Sequence, residues 1–235
     1  MKGTLLNTAT VAVGSTIGYT AGQFIPHQYG DVAITGLGLV VSLIGVKMFF
    51  QTRNAVVPIA AIVCGGLLGT LLGIAPGLET FAHFIKTTVG GGSHFTEGLI
   101  TTSVIFCVGP MTLLGCLQDA LEGKIELLTL KSTLDGISSV FFAASLGEGV
   151  LASAFVVLFV QGAITLTARP LKKFAQDEEL VAESTAVGGA LMLGIGLNVL
   201  NIKTIHSETY LPALVFAPLF SSAARTWIKK KQHRA

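Results

Sequence analysis

The sequence is poor in charged residues and in cysteine. Of its 235 residues only 12% are Asp, Glu, Lys or Arg, about half the fraction found in an average soluble domain. The three cysteines, Cys64, Cys107 and Cys116, all lie inside apolar stretches. We therefore expect buried free thiols rather than a disulfide framework. A net charge of +2, with basic residues only between and beyond the apolar stretches, gives no reason to expect a nucleic-acid partner.

Signatures of common enzymes are also missing. The chain has no Gly-x-Ser-x-Gly nucleophile, no His-Glu-x-x-His zinc motif and no phosphate-binding P-loop. An aspartyl protease of the membrane would need a second aspartate paired with Asp135, and none is evident. Cys107 and Met111 share a helical face as soft ligands, but without a clustered histidine they make a poor metal site. We predict a protein that is not an enzyme and holds no metal or cofactor.

Long apolar stretches dominate what is present. Hydrophobic residues make up 51% of the chain, the mean hydropathy is +0.73 and there are 28 glycines. Windows of about 20 apolar residues predict an all-α integral membrane protein with about eight transmembrane helices, some of them short or broken. The predicted spans are 4–24, 32–51, 55–76, 96–118, 131–147, 149–168, 182–202 and 209–228. The fifth is short and polar at its start.

The remaining segments complete a single polytopic domain over residues 1–235. Residues 78–94 are too broken to span, and their pattern indicates an amphipathic interfacial helix followed by a glycine-rich loop. Residues 229–235 form a basic tail. Within the helices, glycines four residues apart are typical of close helix packing, and they occur at Gly14, Gly18 and Gly22 and again at Gly65, Gly69 and Gly73.

The basic residues predict the orientation. With eight spans and an internal N-terminus, every lysine and arginine except Lys86 and Lys203 falls on the inner side. The positive-inside rule then places both termini in the cytoplasm of a bacterial cell, with the chain in the inner membrane. If the fifth segment entered and left the membrane on the same side, the excess of basic residues on the inner side would be lost. We therefore count that segment as a span.

Two pairs of predicted helices share short patterns, which favours a weak inverted repeat. Residues 43–48 are similar to 193–199, and residues 57–62 are similar to 211–216 with a proline at the same place. The first pair would run opposite to the second, an arrangement that places the substrate site near the membrane midplane in many transporters. The matching residues are common in membrane helices, so chance similarity is the alternative.

Polar residues interrupt the apolar stretches, and one interruption is a helix breaker. Gly109-Pro110 removes a backbone donor, so we expect a kink or break near residues 105–109. Carbonyl groups freed by a break can coordinate a cation or water if they face a cavity. A neighbouring hydroxyl that satisfies them is the alternative.

The fifth predicted helix carries the most informative polar residues. Lys131 and Asp135 are four residues apart and can pair, while Ser132 and Ser139 extend a polar stripe on the same face. We expect Asp135 to be the most deeply placed acidic residue, one turn into the membrane. It is either a cation or proton site gated by Lys131 or only the counter-ion of Lys131. Further candidates for the path are Gln118, Asp119, Asn198 and Asn201.

Several of these stretches resemble the YdfK/YqgA-type family of bacterial inner-membrane proteins. The similarity is carried by residues 106–116, by Gln118-Asp119, by residues 131–136 and 194–203, and by Leu211-Pro212-Ala213. It extends over nearly the whole chain. The resemblance implies a multi-pass bacterial membrane protein without an assigned function, and it supplies no catalytic residues.

Two classes of function fit these observations. A buried polar stripe and broken helices favour a secondary carrier or channel for a small ion or polar solute. Small size and the lack of a ligand motif favour a non-transporting assembly partner or sensor subunit. Expected partners are the lipid bilayer, a small ion or solute and a second copy of the chain. A polar cavity lined by the fourth, fifth and seventh spans would favour transport, and a sealed interior would favour the alternative.

Overall fold

The computed structural model describes residues 1–24, 27–89 and 91–232. These residues form eleven α-helices and one 3-10 helix, and no strand occurs among them, which confirms the predicted all-α fold. The helices are α1 (Lys2–Gly22), α2 (His27–Phe49), α3 (Val56–Leu71), α4 (Ile74–Val89), α5 (Phe95–Cys107), α6 (Pro110–Glu122), α7 (Glu126–Leu146), α8 (Gly149–Leu166), α9 (Ala168–Ala175), α10 (Glu178–Val199), the 3-10 helix Ser207–Tyr210 and α11 (Ala213–Gln232).

The candidate membrane spans are fewer than the sequence predicts. Within the described ranges, α8 and α10 are each long and apolar enough to cross a membrane, and the bent pairs α3–α4 and α5–α6 qualify if each pair is one span. Helices α1 and α7 have similar lengths, but their polar side chains lower the hydropathy. The structure thus shows an all-helical protein with two to four candidate spans.

Large apolar side chains cover much of the outside of the bundle. Leu43, Leu67, Phe155 and Phe159 are all more than 60% exposed. A surface of this kind would be an association or aggregation site in water. It suits contact with lipid chains.

Glycines bring α1 and α7 into close contact. Added Cβ atoms on Gly14, Gly18 and Gly22 would collide in turn with the backbone at Gly136, Val140 and Ala144. Residue numbers rise together along both helices, so α1 and α7 run parallel. The first predicted glycine ladder is therefore a helix-packing surface.

Two further pairs, α2–α10 and α3–α11, run antiparallel. Gly38 lies against Leu200 and Gly45 against Gly189, while the second glycine ladder brings Gly65 to Ala213. These are the two pairs of helices that share the short sequence patterns. An inverted repeat requires the two helices of each pair to run in opposite directions, as they do here, and the repeat itself stays a prediction.

The fifth predicted helix is longer than the sequence suggested. Helix α7 has 21 residues and starts at Glu126, five residues before the predicted start. Gly123 ends α6 in a left-handed conformation, which lets the chain turn at once into α7. The extra turn buries Leu128. Asp135 consequently lies near the middle of α7 instead of one turn from its start.

The third predicted span and the interfacial helix also differ from prediction. Helix α3 ends at Leu71 and α4 begins at Ile74, with a bend of 59° between them. Gly73, at a φ of +62°, allows this bend because a glycine adopts positive φ without strain. Residues 74–76 therefore belong to α4. Gly90, in the predicted glycine-rich loop, and the end of the tail, residues 233–235, lie outside the described residues.

Candidate functional site

Asp135 is held by two side chains inside the bundle. Its Oδ2 accepts a hydrogen bond of 2.7 Å from Lys131 Nζ and one of 3.0 Å from Asn7 Nδ2 on α1. Both side chains of the ion pair are less than 10% exposed. A buried carboxylate needs such partners because its desolvation is costly. The geometry matches the interpretation of Asp135 as a counter-ion, and Asn7 is a partner that sequence spacing does not indicate.

The hydroxyls of Ser132 and Ser139, which belong to the predicted polar stripe, do not bind the carboxylate of Asp135. Ser132 Oγ donates to the Leu128 carbonyl at 2.6 Å, and Ser139 Oγ donates to the Gly136 carbonyl at 2.8 Å. Both groups satisfy the backbone of their own helix, a common arrangement for serine inside α-helices. The structure therefore does not bring them onto the carboxylate of Asp135.

A second polar contact joins α1 to α8. Thr4 Oγ1 lies 3.1 Å from Thr165 Oγ1, and one turn further along these antiparallel helices come Asn7 and Gln161. Both residues are fully buried. In the described part of the chain, Asn7 Oδ1 and both amide atoms of Gln161 have no hydrogen-bond partner. This layer retains capacity to hydrogen-bond a small polar molecule.

Asp119 caps the start of α1. Its Oδ2 accepts a 3.0 Å hydrogen bond from the Gly3 amide and lies 2.9 Å from the amino group of Met1. A carboxylate is favourable at this position because helix N-termini present unpaired N–H groups and a positive dipole end. Gln118 stabilises the end of α6 through its carbonyl, which accepts from the Lys124 amide at 3.3 Å. Neither residue contacts the Asp135 side chain in a hydrogen bond that the structure records.

The predicted helix break occurs at Gly109-Pro110. Helix α5 ends at Cys107, α6 begins at Pro110, and their axes differ by 60°, which confirms the expected interruption. Gly109 has a φ of +138°, which favours glycine. The Phe106 carbonyl, which Pro110 cannot satisfy, accepts from Thr112 Oγ1 at 3.3 Å. One freed carbonyl is thus satisfied by a hydroxyl, as the alternative interpretation predicted.

The break also borders a cavity of about 230 Å³, which we call the break cavity. Its lining residues are Cys107, Val108, Gly109, Leu113, Ile164, Phe174, Val181, Ser184, Thr185 and Leu214. Val181 and Thr185 belong to the first two turns of α10, so the break cavity lies toward the end of the bundle that carries α9. Ser184 adds a buried hydroxyl without a hydrogen-bond partner among the described residues.

A second cavity, which we call the vestibule, lies toward the other end of α10. It has a volume of about 550 Å³ and is lined by Glu79, His83, Ser93, Thr96, Glu97, Ile100, Thr101, Val104, Ile195, Asn198, Asn201, Ile205, His206, Ser207 and Glu208. The structure therefore brings the predicted residues Asn198 and Asn201 together with acidic and histidine side chains. Residues of the fourth and seventh predicted spans line the vestibule, and residues of the fifth do not.

The two cavities come closest along α5. Val104 borders the vestibule and Cys107 borders the break cavity, three residues apart or about 4.5 Å along a helix. Phe106, Phe142 and Met192 are buried in the cluster that includes Val104. Cys107 also packs against this cluster.

Sequence reasoning missed Glu183, which is fully buried in α10. Its carboxylate accepts from Thr52 Oγ1 at 2.6 Å, from the Arg53 amide at 2.8 Å and from the Asn54 amide at 3.0 Å. It therefore organises the connection between α2 and α3. Glu183 is thus less exposed than Asp135, which is 7% exposed, whereas the predicted depth of Asp135 in the membrane stays a prediction. A glutamate inside an otherwise apolar predicted span was the available signal.

The comparisons with known proteins agree with the sequence resemblance. Residues 2–222 match the model of the family described as protein of unknown function (DUF554). The chain is 31% identical to the Uncharacterized membrane protein YdfK of Bacillus subtilis (strain 168) over 223 residues, which cover 93% of this chain and 95% of YdfK. It is 26% identical to the Uncharacterized protein YqgA of Escherichia coli (strain K12) over 233 residues, covering 96% and 98%.

No solved structure matches the chain. The family match over nearly the full length confirms the resemblance inferred from residues 106–136 and 194–213. The name of YdfK as a membrane protein and the apolar helices of this chain agree on a membrane location. The chain therefore belongs to the DUF554 family of uncharacterised membrane proteins.

Proposed function

We propose that this protein is a membrane carrier or channel for a small ion or polar solute, with a path that runs along α5 between the vestibule and the break cavity. The observation that carries the proposal is the placement of two cavities toward opposite ends of α10. Their nearest lining residues are Val104 and Cys107 along α5, about 4.5 Å apart, and Thr185 and Ile195 along α10, about 15 Å apart. Carriers need a barrier between two half-paths that small helix movements can open on either side.

The vestibule favours a cation. Three carboxylates line it, those of Glu79, Glu97 and Glu208, and deeper inside it carries the polar side chains of Thr101 and Asn198. Acidic residues at the mouth of a low-dielectric cleft raise the local concentration of cations. Amide and hydroxyl oxygens further in can replace part of the hydration shell of an entering ion.

The helix directions support a topology of eight membrane crossings. Helices α1, α7 and α10 run away from the α9 end, while α2, α5 and α8 run toward it, as the alternation of predicted spans requires. The vestibule end then carries Lys86 and Lys203, and the other lysines and arginines of the described residues lie toward α9. By the positive-inside rule, the vestibule opens to the outside of a bacterial inner membrane and both termini are cytoplasmic.

The second candidate function is a non-transporting assembly or sensor subunit. The packed cluster of Phe106, Phe142 and Met192 around Val104 favours it. So does the satisfied ion pair of Asp135 with Lys131. A protein of this class would keep this cluster packed under all conditions.

Flux into proteoliposomes distinguishes the two classes. We expect the purified protein to carry at least one small cation, proton or polar metabolite above the rate of protein-free liposomes. Val104→Trp should block this flux, because the larger indole side chain would fill space on α5 between the two cavities. Leu67→Trp is the matched control, since Leu67 is 64% exposed on the outside of α3. Absence of flux for every solute tested, or equal flux in both variants, would contradict the proposal.

A further inference from the structure

Three metal-ligating side chains from distant parts of the chain meet at the mouth of the vestibule. His206 Nδ1 lies 3.1 Å from Glu208 Oε1 and 3.4 Å from Glu79 Oε1. One ligand atom from each of the three residues lies within 4.8 Å of those of the other two. Glu79 comes from α4, whereas His206 and Glu208 come from the connection between α10 and α11. We propose that Glu79, His206 and Glu208 bind a divalent transition-metal ion.

A bound cation would balance the negative charges of Glu79 and Glu208. Two carboxylates approach the same imidazole nitrogen, and Glu208 is only 6% exposed. Like charges held this close repel each other unless a cation lies between them. A protonated His206 supplies one positive charge for two carboxylates, whereas a divalent ion balances both and leaves the imidazole neutral as a ligand.

Ser207 provides an independent indication of a ligand. It lies between the two ligand residues in sequence, lines the vestibule and is 3% exposed. Its Oγ has no hydrogen-bond partner within the described ranges. This Oγ lies next to Gly194 on α10, and a water molecule held in the vestibule is a group that it can bind, as the polar neighbours of metal sites commonly do.

The donor set indicates the class of ion. One imidazole nitrogen with two carboxylate oxygens suits Zn²⁺, Mn²⁺ or Co²⁺, whereas Mg²⁺ and Ca²⁺ prefer all-oxygen sites. The position of the site also links two segments that are far apart in sequence. A bound ion would fasten α4 to the α10–α11 connection and so control the width of the vestibule mouth.

This site extends the proposed function without depending on it. Metal binding is expected whether the ion then enters the vestibule as substrate or stays at the mouth as a regulator. Binding is therefore measured on the purified full-length protein in detergent, with no transport assay. A protein that binds metal but carries nothing would leave this inference intact and would remove the proposed function.

Co²⁺ is the probe, because its visible absorption changes when protein ligands replace water. We expect one Co²⁺ per chain, displaced by Zn²⁺ and not by Mg²⁺ or Ca²⁺. His206→Ala and Glu208→Gln should each weaken Co²⁺ binding by at least about tenfold, at the lower end of the effect of altering metal sites. Bound metal should also slow amide hydrogen exchange in α4, since the ion restrains local opening.

His83→Ala is the matched control for His206→Ala, because His83 lines the same vestibule but is outside the group of three. If Glu208→Gln does not fold, Glu79→Gln serves, since the Glu79 side chain is 48% exposed. The inference is overturned if Co²⁺ does not bind stoichiometrically. It is equally overturned if His83→Ala weakens binding as much as His206→Ala, because the site would then not depend on the group of three.

Discussion

Gly45 on α2 and Gly189 on α10 pack backbone against backbone. A Cβ atom on Gly45 would lie 2.6 Å from the Gly189 carbonyl oxygen, and one on Gly189 would lie 2.5 Å from the Gly45 carbonyl oxygen. Neither glycine therefore leaves room for a side chain on the other, and α2 and α10 approach closely at this point. This contact joins the two halves of the predicted inverted repeat directly.

Gly189→Ala is therefore expected to destabilise the protein by about 1–3 kcal/mol, the usual cost of overpacking a close contact. Unfolding in detergent, followed by circular dichroism against temperature, measures this. Gly36→Ala is the control, because a Cβ at Gly36 meets nothing within 4 Å. That variant should be neutral or slightly more stable, since alanine is the better helix former. Equal unfolding temperatures for the two variants would show that α2 and α10 do not approach as described.

The ion pair of Lys131 and Asp135 should behave as a unit. Asp135→Ala alone should cost about 3–5 kcal/mol because it leaves the Lys131 ammonium buried without its partner. The double variant Lys131→Met, Asp135→Leu should recover most of this stability. It should also retain flux, since neither residue lines the vestibule or the break cavity. Loss of flux in a folded double variant would instead make Asp135 the transport site that its sequence context suggests.

The break between α5 and α6 depends on Gly109. Because its φ of +138° is strained for any residue with a side chain, Gly109→Ala should destabilise the protein by about 1–3 kcal/mol. Gly77→Ala, on a helical glycine with open space around it, is the matched comparison and should change stability little. If Gly109→Ala unfolds at the wild-type temperature, the chain does not take this conformation at the break.

Asp177 gives a pH-dependent prediction at the α9 end. Its side chain accepts hydrogen bonds from Arg225 and from the Glu179 and Leu180 amides at the start of α10. The Arg225 guanidinium is the main cause that lowers the pKa of Asp177 to about 2. A lowered pKa means that the carboxylate stabilises the fold above its ordinary pKa of about 4. That contribution is lost as the pH falls from about 4 to about 2.

Asp177→Asn keeps a side chain that can cap the helix but removes the charge that binds Arg225, and should thus cost up to about 1 kcal/mol at pH 7, the range for an exposed ion pair. The value is modest because the side chain is 28% exposed and water screens the pair. The difference in unfolding temperature from wild type should shrink below pH 4. Glu178→Gln, at a site 82% exposed, should have little effect at any pH. A constant difference down to pH 2 would contradict the role assigned to the Asp177 charge.

Local patterns predicted those features that depend on a few neighbouring residues. The break followed from Gly109-Pro110, the close-packing face of α1 from the Gly14–Gly22 ladder, and the pairing of Lys131 with Asp135 from their spacing. Each depends on steric or bonding limits that act within two helical turns, so the sequence is enough to reveal them.

Features that join distant segments could not be predicted in this way. Asn7 binds Asp135 across 128 positions, and Glu79 meets His206 only because α4 folds back beside the α10–α11 connection. The bend at Gly73 was missed because the apolar pattern continues through it to residue 76. In each case the deciding contact is tertiary. The hydropathy pattern of a sequence does not show which helices become neighbours.

The most direct test of the proposed path is site-specific blocking of flux. Thr101→Cys, in a background with Cys64, Cys107 and Cys116 changed to alanine, puts a thiol in the vestibule. A membrane-impermeant thiol reagent added outside should then abolish flux in proteoliposomes. The same reagent should leave Leu67→Cys unaffected, because that side chain lies on the lipid-facing surface of α3. Full flux after complete labelling of Thr101→Cys would show that no transported ion or solute passes through the vestibule.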